Sequence, residues 1–147
     1  MRLPAVLALA ALSLLSAVPS AEADTFSKKY RFVVDKTLEV GENISSGMRL
    51  DSVQFIFPPT SGEKILRIGG VPEAVVAISN VSQDSVKIGI ALAVFDEEGR
   101  LIGVASGGSA MRGIRAYRQV GYSLKFDFVN GEMAKAATFQ VSVETKP

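Results

Sequence analysis

The sequence predicts an all-β protein, an antiparallel β-sandwich of about seven to eight strands. Apolar residues recur at every second position in several runs, which is typical of strands with one buried face. Clusters of Gly, Pro, Asn, Asp and Ser separate these runs at the short intervals typical of sandwiches. The chain has 147 residues, 48% of them hydrophobic, and no cysteine. Packing alone, without disulfides, must therefore stabilise the fold.

Five runs show the alternation most clearly. Their expected inward residues are Tyr30, Phe32 and Val34; Val53, Phe55 and Phe57; Val86, Ile88, Ile90, Leu92 and Val94; Val120, Tyr122, Leu124, Phe126 and Phe128; and Phe139, Val141 and Val143. Shorter candidate strands are 64–68, 73–81 and 100–106, and only 132–137 indicates a helix, of one or two turns. Turn-forming clusters occur at 40–43, 58–63, 69–72, 82–85 and 129–132.

The N-terminus has the order of a secretory signal peptide. Arg2 precedes a long apolar run that ends in Ala21-Glu22-Ala23. We expect cleavage after Ala23, which leaves 24–147 as a single domain without another apolar run long enough to span a membrane. The sequence therefore predicts an exported protein, periplasmic or extracellular. An uncleaved membrane anchor is the alternative interpretation of the same run.

Composition narrows the classes of function. The chain has 16 basic and 15 acidic side chains, so it lacks the basic excess typical of nucleic-acid-binding proteins. It also has no His and no Cys, which removes the usual catalytic triads and zinc ligands. We expect no catalytic residue, no metal and no cofactor. The alternative is an enzyme, or an accessory subunit of an envelope enzyme, that uses carboxylates or serines.

Three adjacent carboxylates, Asp96, Glu97 and Glu98, precede Gly99 between two alternating runs. An early Asp and a Gly at a position of positive φ are typical of a hairpin loop built on a type I turn. A calcium loop needs oxygen ligands at alternate positions over about a dozen residues, and a catalytic pair needs carboxylates held apart in a cleft. We interpret the stretch as a solvated turn in preference to the two alternatives, a metal contact and a catalytic pair.

Three short motifs have an ordinary structural explanation. Asn43 and Asn80 each begin a glycosylation sequon, which matters only in a eukaryotic secretory pathway, and we interpret both as turn residues. Ser61 and Lys64 have the S-x-x-K spacing of penicillin-recognising enzymes, but the partner motifs of those enzymes are missing.

The region 75–143 resembles the FxLYD family of exported bacterial domains and its immunoglobulin-like relatives. The matching positions are Asn80, Ser82, Val86, Ile88, Ile90, Val94, Phe95, Asp96 and Gly99, followed by a late aromatic strand at 122–128 and a closing strand at 136–143. Two departures are Val94, where the family has a tyrosine-containing motif, and 113–119, where it has Pro-Gly. The resemblance implies an immunoglobulin-like sandwich without shared catalytic residues.

The segment 106–119 is the strongest candidate for a function. After a glycine-rich start it places Arg112, Arg115 and Arg118 three residues apart, with Tyr117 between the last two. Arginine pairs bidentately with carboxylate or phosphate, and arginine and tyrosine often dominate binding interfaces. We predict that Arg112, Arg115, Tyr117 and Arg118 form a flexible surface that binds a protein or an envelope polymer. A solvated crossover between sheets is the alternative.

Overall fold

The computed structural model describes residues 23–45, 47–56, 71–109, 111–126 and 133–146. It is an antiparallel β-sandwich, which confirms the predicted fold class. The strands are β1 (Asp24–Arg31), β2 (Thr37–Ser45), β3 (Met48–Ile56), β4 (Glu73–Asn80), β5 (Lys87–Phe95), β6 (Leu101–Gly108), β7 (Gln119–Lys125) and β8 (Thr138–Lys146). One sheet has the order β1-β8-β5-β6 and the other β2-β3-β4-β7.

Alternate residues of the strands fill the space between the two sheets. Phe55 lies at the centre of an aromatic cluster, with its ring centroid 4.5 Å from that of Phe32, 4.9 Å from Phe139 and 6.3 Å from Phe126. Each large apolar side chain buried in this way contributes about 1.5–3 kcal/mol to folding. The chain has no cysteine, so this core must supply its stability without disulfides.

The register predicted for the long central strand is confirmed. Ile88, Ile90, Leu92 and Val94 are buried, and the intervening Lys87, Gly89 and Ala91 are exposed. Phe139, Val141 and Val143 of β8 are buried in the same core. β5 lies between β6 and β8 in its sheet, and its buried residues belong to the same core cluster as those of the second sheet.

Val34 is not an inward residue, because β1 ends before it. Asp35 has a φ of 53°, a left-handed conformation that turns the chain toward β2 and leaves Val34 42% exposed. The alternation from Tyr30 to Phe32 therefore does not continue to Val34. The helix expected at 132–137 is reduced to a single 3-10 turn, Met133–Lys135.

The sequence reading missed β2, because 40–43 was interpreted as a turn. Gly41 has a φ of 65°, and the β2–β3 register shifts between Glu39 and Glu42. Glycine at positive φ with one unpaired residue is the signature of a β-bulge as well as of a turn. Asn43 follows the bulge and is an exposed strand residue, so its interpretation as a turn residue is wrong.

The β1 and β2 edges of the two sheets meet along one side of the sandwich. Lys28 Nζ of β1 lies 2.6 Å from Glu42 Oε1 of β2, and 5.7 Å from the centroid of the Tyr30 ring. Burial, and then the negative charge of Glu42, raise the pKa of Tyr30 to about 12. On this side of the fold the Lys28–Glu42 ion pair thus links β1 to β2, and the neighbouring Tyr30 phenol stays protonated at neutral pH.

The two ends of the described fold lie side by side. Asp24 pairs with Thr145 across the β1–β8 ladder, and Thr145 also pairs with Ile88 of β5. Some sequence predictions lie outside the described residues. These are the signal peptide, Phe57, the S-x-x-K motif, the strand at 64–68, the turns at 58–63 and 129–132, and Phe128.

Candidate functional site

The segment that carries the predicted binding residues connects β6 in one sheet to β7 in the other. Arg112, Arg115 and Arg118 are all exposed along it, and Tyr117 is 67% exposed. Ile114, which lies between Arg112 and Arg115 in the chain, is 1% exposed and packs into the core. The segment is therefore a crossover between the two sheets, as the alternative interpretation expects, and it presents its arginines outward. We call residues 111–118 the arginine segment.

The backbone of the arginine segment is held firmly, which corrects the expectation of a flexible loop. Ile114 and Val86 exchange two backbone hydrogen bonds of 2.7 and 3.0 Å. The Ser85 hydroxyl donates to the Arg112 carbonyl oxygen at 2.7 Å. The main-chain amide of Asn80 donates to the Arg118 carbonyl oxygen at 2.8 Å. The main chain is thus held at Arg112, Ile114 and Arg118, and Arg115 directly follows Ile114.

The glycines of this region permit close contact rather than motion. Gly113 has a φ of 66°, and a Cβ placed there would lie 2.6 Å from the Val86 carbonyl oxygen. Gly108 is equally tight, since a Cβ would lie 2.3 Å from the Ile88 carbonyl oxygen. Both positions require glycine because the backbone of β5 passes too near for any side chain.

Asn80 organises the base of the arginine segment. It is 1% exposed, and its side-chain nitrogen donates to the carbonyl oxygens of Asp84 at 2.7 Å and Ile114 at 2.9 Å. Its side-chain oxygen accepts from the amide and the hydroxyl of Ser82 at 2.9 and 2.6 Å. Asn80 is the last residue of β4 rather than a turn residue, and these four bonds of its buried side chain hold the turn that follows the strand.

Among the described residues, no ion pair joins Arg112, Arg115 or Arg118 to a carboxylate. The described ion pairs of the protein lie elsewhere, at Lys28, Arg49 and Arg100. Tyr117 has a φ of 54°, a conformation that non-glycine residues seldom adopt, and this turns its ring to the surface. The arrangement can donate planar, bidentate hydrogen bonds to an anionic group beside an aromatic face.

A second polar cluster, which the sequence reading missed, lies on the outer face of the β2-β3-β4-β7 sheet. Asp51 is its centre, with Oδ1 2.7 Å from Arg49 Nε and Oδ2 2.5 Å from Ser79 Oγ. Gln119 Nε2 donates to the same Oδ2 at 2.9 Å. The signal was obscured because the β3–β4 register shifts between Leu50 and Ser52, so Asp51 sits on a bulge that breaks the alternation.

The Asp51 carboxylate is held in its charged form. Burial raises the pKa of Asp51, but the hydrogen bonds from Ser79, Gln119 and Arg49 lower it more, so the pKa lies below its usual value. Three donors already occupy its two oxygens. A carboxylate that is both poorly basic and fully hydrogen-bonded is suited to fixing β3, β4 and β7 together rather than to accepting a proton in catalysis.

An open depression of about 320 Å³ lies beside this cluster, lined by Glu39, Val40, Gly41, Arg49, Asp51 and Gln119. Its size is at the lower limit for small-molecule sites, and it is open to solvent rather than enclosed. The described residues contain no group of three or more His, Cys, Asp or Glu side chains arranged to hold a metal ion.

The stretch at 96–99 forms the β5–β6 hairpin turn, which confirms its interpretation as a turn. The Gly99 amide donates to the Asp96 carbonyl oxygen at 3.1 Å, and Gly99 has a φ of 79°. Asp96 differs from the expected solvated residue, because it is 7% exposed and accepts from the Arg100 amide and guanidinium, both at 2.8 Å. Burial raises the pKa of Asp96, but these bonds from Arg100 lower it below its usual value.

No protein-family model matches the chain, and no curated protein matches it closely enough to show a shared family. The resemblance to FxLYD-type domains stays a prediction. Within the described residues, no helix is both long and apolar enough to cross a membrane.

Proposed function

We propose that this chain is an exported, noncatalytic binding module that recognises a protein or a cell-envelope polymer through acidic groups of that partner. The observation that supports this most is the arginine segment, in which Arg112, Arg115 and Arg118 are exposed and have no carboxylate partner among the described residues. Tyr117, between the last two arginines in the chain, is also exposed. An anchored main chain means that binding costs little ordering entropy there.

The chemistry of the arginine segment favours a partner that carries acidic groups. Each guanidinium presents a planar fork of donors that matches a carboxylate or a phosphate. The near-neutral overall charge of the protein makes a nucleic acid a poor candidate, since extended phosphate backbones require a basic face larger than three residues. A partner with a few localised anionic groups fits better.

The enzyme alternative has its best location at Asp51 and Ser79, where a carboxylate accepts a serine hydroxyl hydrogen bond. The lowered pKa of Asp51 makes it a weak base, and Gln119 and Arg49 occupy its remaining positions. These observations favour a binding module over an enzyme or an accessory catalytic subunit.

The FxLYD-type, immunoglobulin-like assignment is part of the same proposal. Asn80 at the end of β4 and Asp96 after β5 hold two turns through side-chain hydrogen bonds, which gives both matching positions a structural role. Export is the second part, and it rests on the order of residues 1–23. Intact-mass measurement of the protein secreted by its native host should give a chain that begins at Asp24. A mass that includes Met1–Ala23 would contradict cleavage.

The binding proposal is tested with a triple Arg→Gln variant at 112, 115 and 118. Immobilised wild type and variant are incubated with envelope extract of the native host at about 0.15 M salt, where loose long-range attraction is screened. The matched control replaces Lys29, Lys36 and Lys125 with Gln, which removes three positive charges from exposed positions elsewhere.

We expect the arginine variant to keep its circular dichroism spectrum and to lose the bound material, while the lysine variant retains it. Equal recovery by all three proteins would remove the arginine segment as the binding surface. Equal loss of bound material from both variants would show that binding depends on the net positive charge of the protein and not on the arginine segment.

A further inference from the structure

The depression beside Asp51 lies where two β-bulges meet in neighbouring strands. The β2–β3 register shifts between Glu39 and Glu42, so Val40 and Gly41 together stand opposite Asp51. In the β3–β4 register, Asp51 is itself the extra residue. A bulge leaves its extra residue outside the ladder, bends the strand, and is over-represented next to active sites. Two bulges at one point therefore interrupt a sheet face that regular strands would leave flat.

Arg49 lines this depression and is held in place from one side. Its Nε donates to Asp51 Oδ1 at 2.7 Å. Asp51 is in turn fixed by Ser79 Oγ at 2.5 Å and by Gln119 Nε2 at 2.9 Å. In the part of the chain that the structure describes, the two terminal nitrogens of Arg49 have no hydrogen-bond partner. This fork of donors is oriented in advance, which lowers the ordering cost of binding a ligand.

Hydrogen-bond acceptors occupy other parts of the lining. The Glu39 carboxylate is exposed and forms no ion pair with any described residue. The side-chain oxygen of Gln119 has no donor among the same residues, since only its nitrogen is bonded to Asp51. Val40 adds a small aliphatic surface. The depression thus combines a double donor, a carboxylate and a carboxamide.

The charge of the lining disfavours anions. Glu39 and Asp51 supply two negative charges and Arg49 supplies one positive charge, so the lining is negative overall. The positive charge of Arg49 is also already paired with Asp51. A carboxylate or phosphate would therefore be repelled here, because like charges brought together are unfavourable. A neutral ligand does not meet this repulsion.

The strand register separates the free donors from the free carboxylate. Glu39 pairs with Ser52, which is three residues after Arg49 on β3, and one of those three is the extra residue Asp51. The backbone levels of Glu39 and Arg49 are therefore roughly 7–10 Å apart along the strands. A ligand that meets both needs hydrogen-bonding groups on opposite sides, as a sugar ring has. The ammonium and carboxylate of an amino acid are attached to one carbon and suit this separation less well.

We propose that this depression binds a neutral sugar residue. Arg49 donates from its terminal nitrogens to adjacent hydroxyls, Glu39 accepts from hydroxyls on the other side of the ring, and Gln119 accepts through its amide oxygen. Because the depression is open and measures about 320 Å³, it admits one residue of a longer polysaccharide and leaves much of the sugar in water. The dissociation constant is therefore on the order of millimolar.

A nuclear magnetic resonance titration of the isotope-labelled protein tests the site. The probes are glucose, mannose, galactose and N-acetylglucosamine, each added to about 50 mM, which exceeds a millimolar dissociation constant. At least one sugar should shift the main-chain amide signals of Val40, Gly41, Asp51 and Gln119. Glycine and sodium phosphate, a zwitterion and an anion, should shift these signals less than that sugar does.

Two variants identify the contacts. Glu39→Ala should weaken binding of that sugar about tenfold, the equivalent of one charge-assisted hydrogen bond. Its matched control is Glu144→Ala, which removes an exposed carboxylate from β8 in the other sheet and should bind as wild type does. Arg49→Lys keeps the charge but loses the fork, and should also weaken binding about tenfold. Thermal melts establish that the variants are folded, and Glu39→Ala alone decides the test if Arg49→Lys is unstable.

The proposal is overturned if none of the four sugars shifts these amide signals, or if the shifted signals belong to another face of the protein. It is also overturned if Glu39→Ala binds as wild type does, or if Glu144→Ala is equally damaging. Tighter binding of glycine or phosphate than of every sugar would assign the depression to a charged ligand instead. The triple Arg→Gln variant of the arginine segment should bind the sugar normally, so the two proposals fail independently.

Discussion

The side-chain nitrogen of Asn80 donates a 2.9 Å hydrogen bond to the carbonyl oxygen of Ile114, 34 residues further along the chain. The end of β4 thus holds the middle of the arginine segment. Because Ile114 also pairs with Val86, the segment is fixed to both sheets at one residue. The exposed arginines are presented by a stiff support rather than by a mobile loop.

Replacing Asn80 with Ala should destabilise the protein by several kcal/mol. The change removes four hydrogen bonds, at about 0.5–1.5 kcal/mol each, and leaves the Ser82 amide without its acceptor, although the carbonyl oxygens of Asp84 and Ile114 keep other donors. Urea unfolding measures the loss. Asn43→Ala, at an exposed strand position, serves as the control and should stay within about 0.5 kcal/mol of wild type. Similar midpoints for the two variants would contradict the anchoring role of Asn80.

Asp51→Asn should lower stability at neutral pH and much less in acid. The folded-state pKa of Asp51 lies below its unfolded value, so the ionised carboxylate stabilises the protein above the unfolded pKa of about 3.9. This contribution disappears as pH falls through the folded pKa. Unfolding free energies of the two proteins should therefore differ at pH 7 and converge as the pH falls through the folded-state pKa of Asp51. A difference that is constant with pH would exclude a charged Asp51 as the source.

Ile90→Asp should prevent folding, because Ile90 is 2% exposed at the centre of β5 and the new carboxylate would be buried without a partner. That costs several kcal/mol against a total stability of about 5–15 kcal/mol. Lys87→Gln changes an exposed position of the same strand and should melt close to wild type. Comparable thermal melts for both variants would contradict the register of β5.

Replacing Glu97 and Glu98 together with Gln should change stability by no more than about 0.5 kcal/mol, as expected for surface positions. Calcium should leave the melting temperature unchanged, because the turn is closed by Asp96 and Arg100 rather than by a metal ion. Differential scanning fluorimetry with and without calcium provides the measurement. A calcium-dependent rise that the double variant loses would show that these carboxylates are metal ligands.

Tyr30 should titrate near pH 12 in a spectrophotometric titration, later than an ordinary phenol. Its raised folded-state pKa means that the neutral phenol stabilises the fold below its unfolded pKa of about 10. That contribution is lost as pH rises toward 12. Tyr30→Phe should remove this late step and make the protein less sensitive to alkali. A titration curve unchanged by the substitution would assign the late step to another tyrosine.

Sequence reasoning was most successful where alternation was uninterrupted. The burial of Ile88 through Val94 in β5 follows from period two alone, because each inner position meets the second sheet. It failed at bulges, where one extra residue reverses the pattern. Gly41 in β2 was taken for a turn, and Asp51 in β3 was not recognised as a buried polar centre.

The candidate site, like the fold, was predicted only in part from the sequence. The spacing of Arg112, Arg115 and Arg118 indicated the segment, and their exposure agrees with that reading. Its rigidity could not be predicted, because the hydrogen bonds from Asn80 and Ser85 join residues about thirty positions apart. Glycine content suggested motion, whereas Gly108 and Gly113 are required by the closeness of the β5 backbone.

The pairing of Asp24 with Thr145 determines how this fold would respond to tension. Since β1 and β8 are antiparallel neighbours, a force that pulls residues 24 and 145 apart acts across the strands, along their hydrogen bonds. The ladder would then open one bond at a time, as a zipper does, instead of resisting as a sheared whole. We expect single-molecule pulling from these two points to unfold the sandwich at low force. Such a domain is suited to hanging from an attachment point and unsuited to transmitting a mechanical load along its chain.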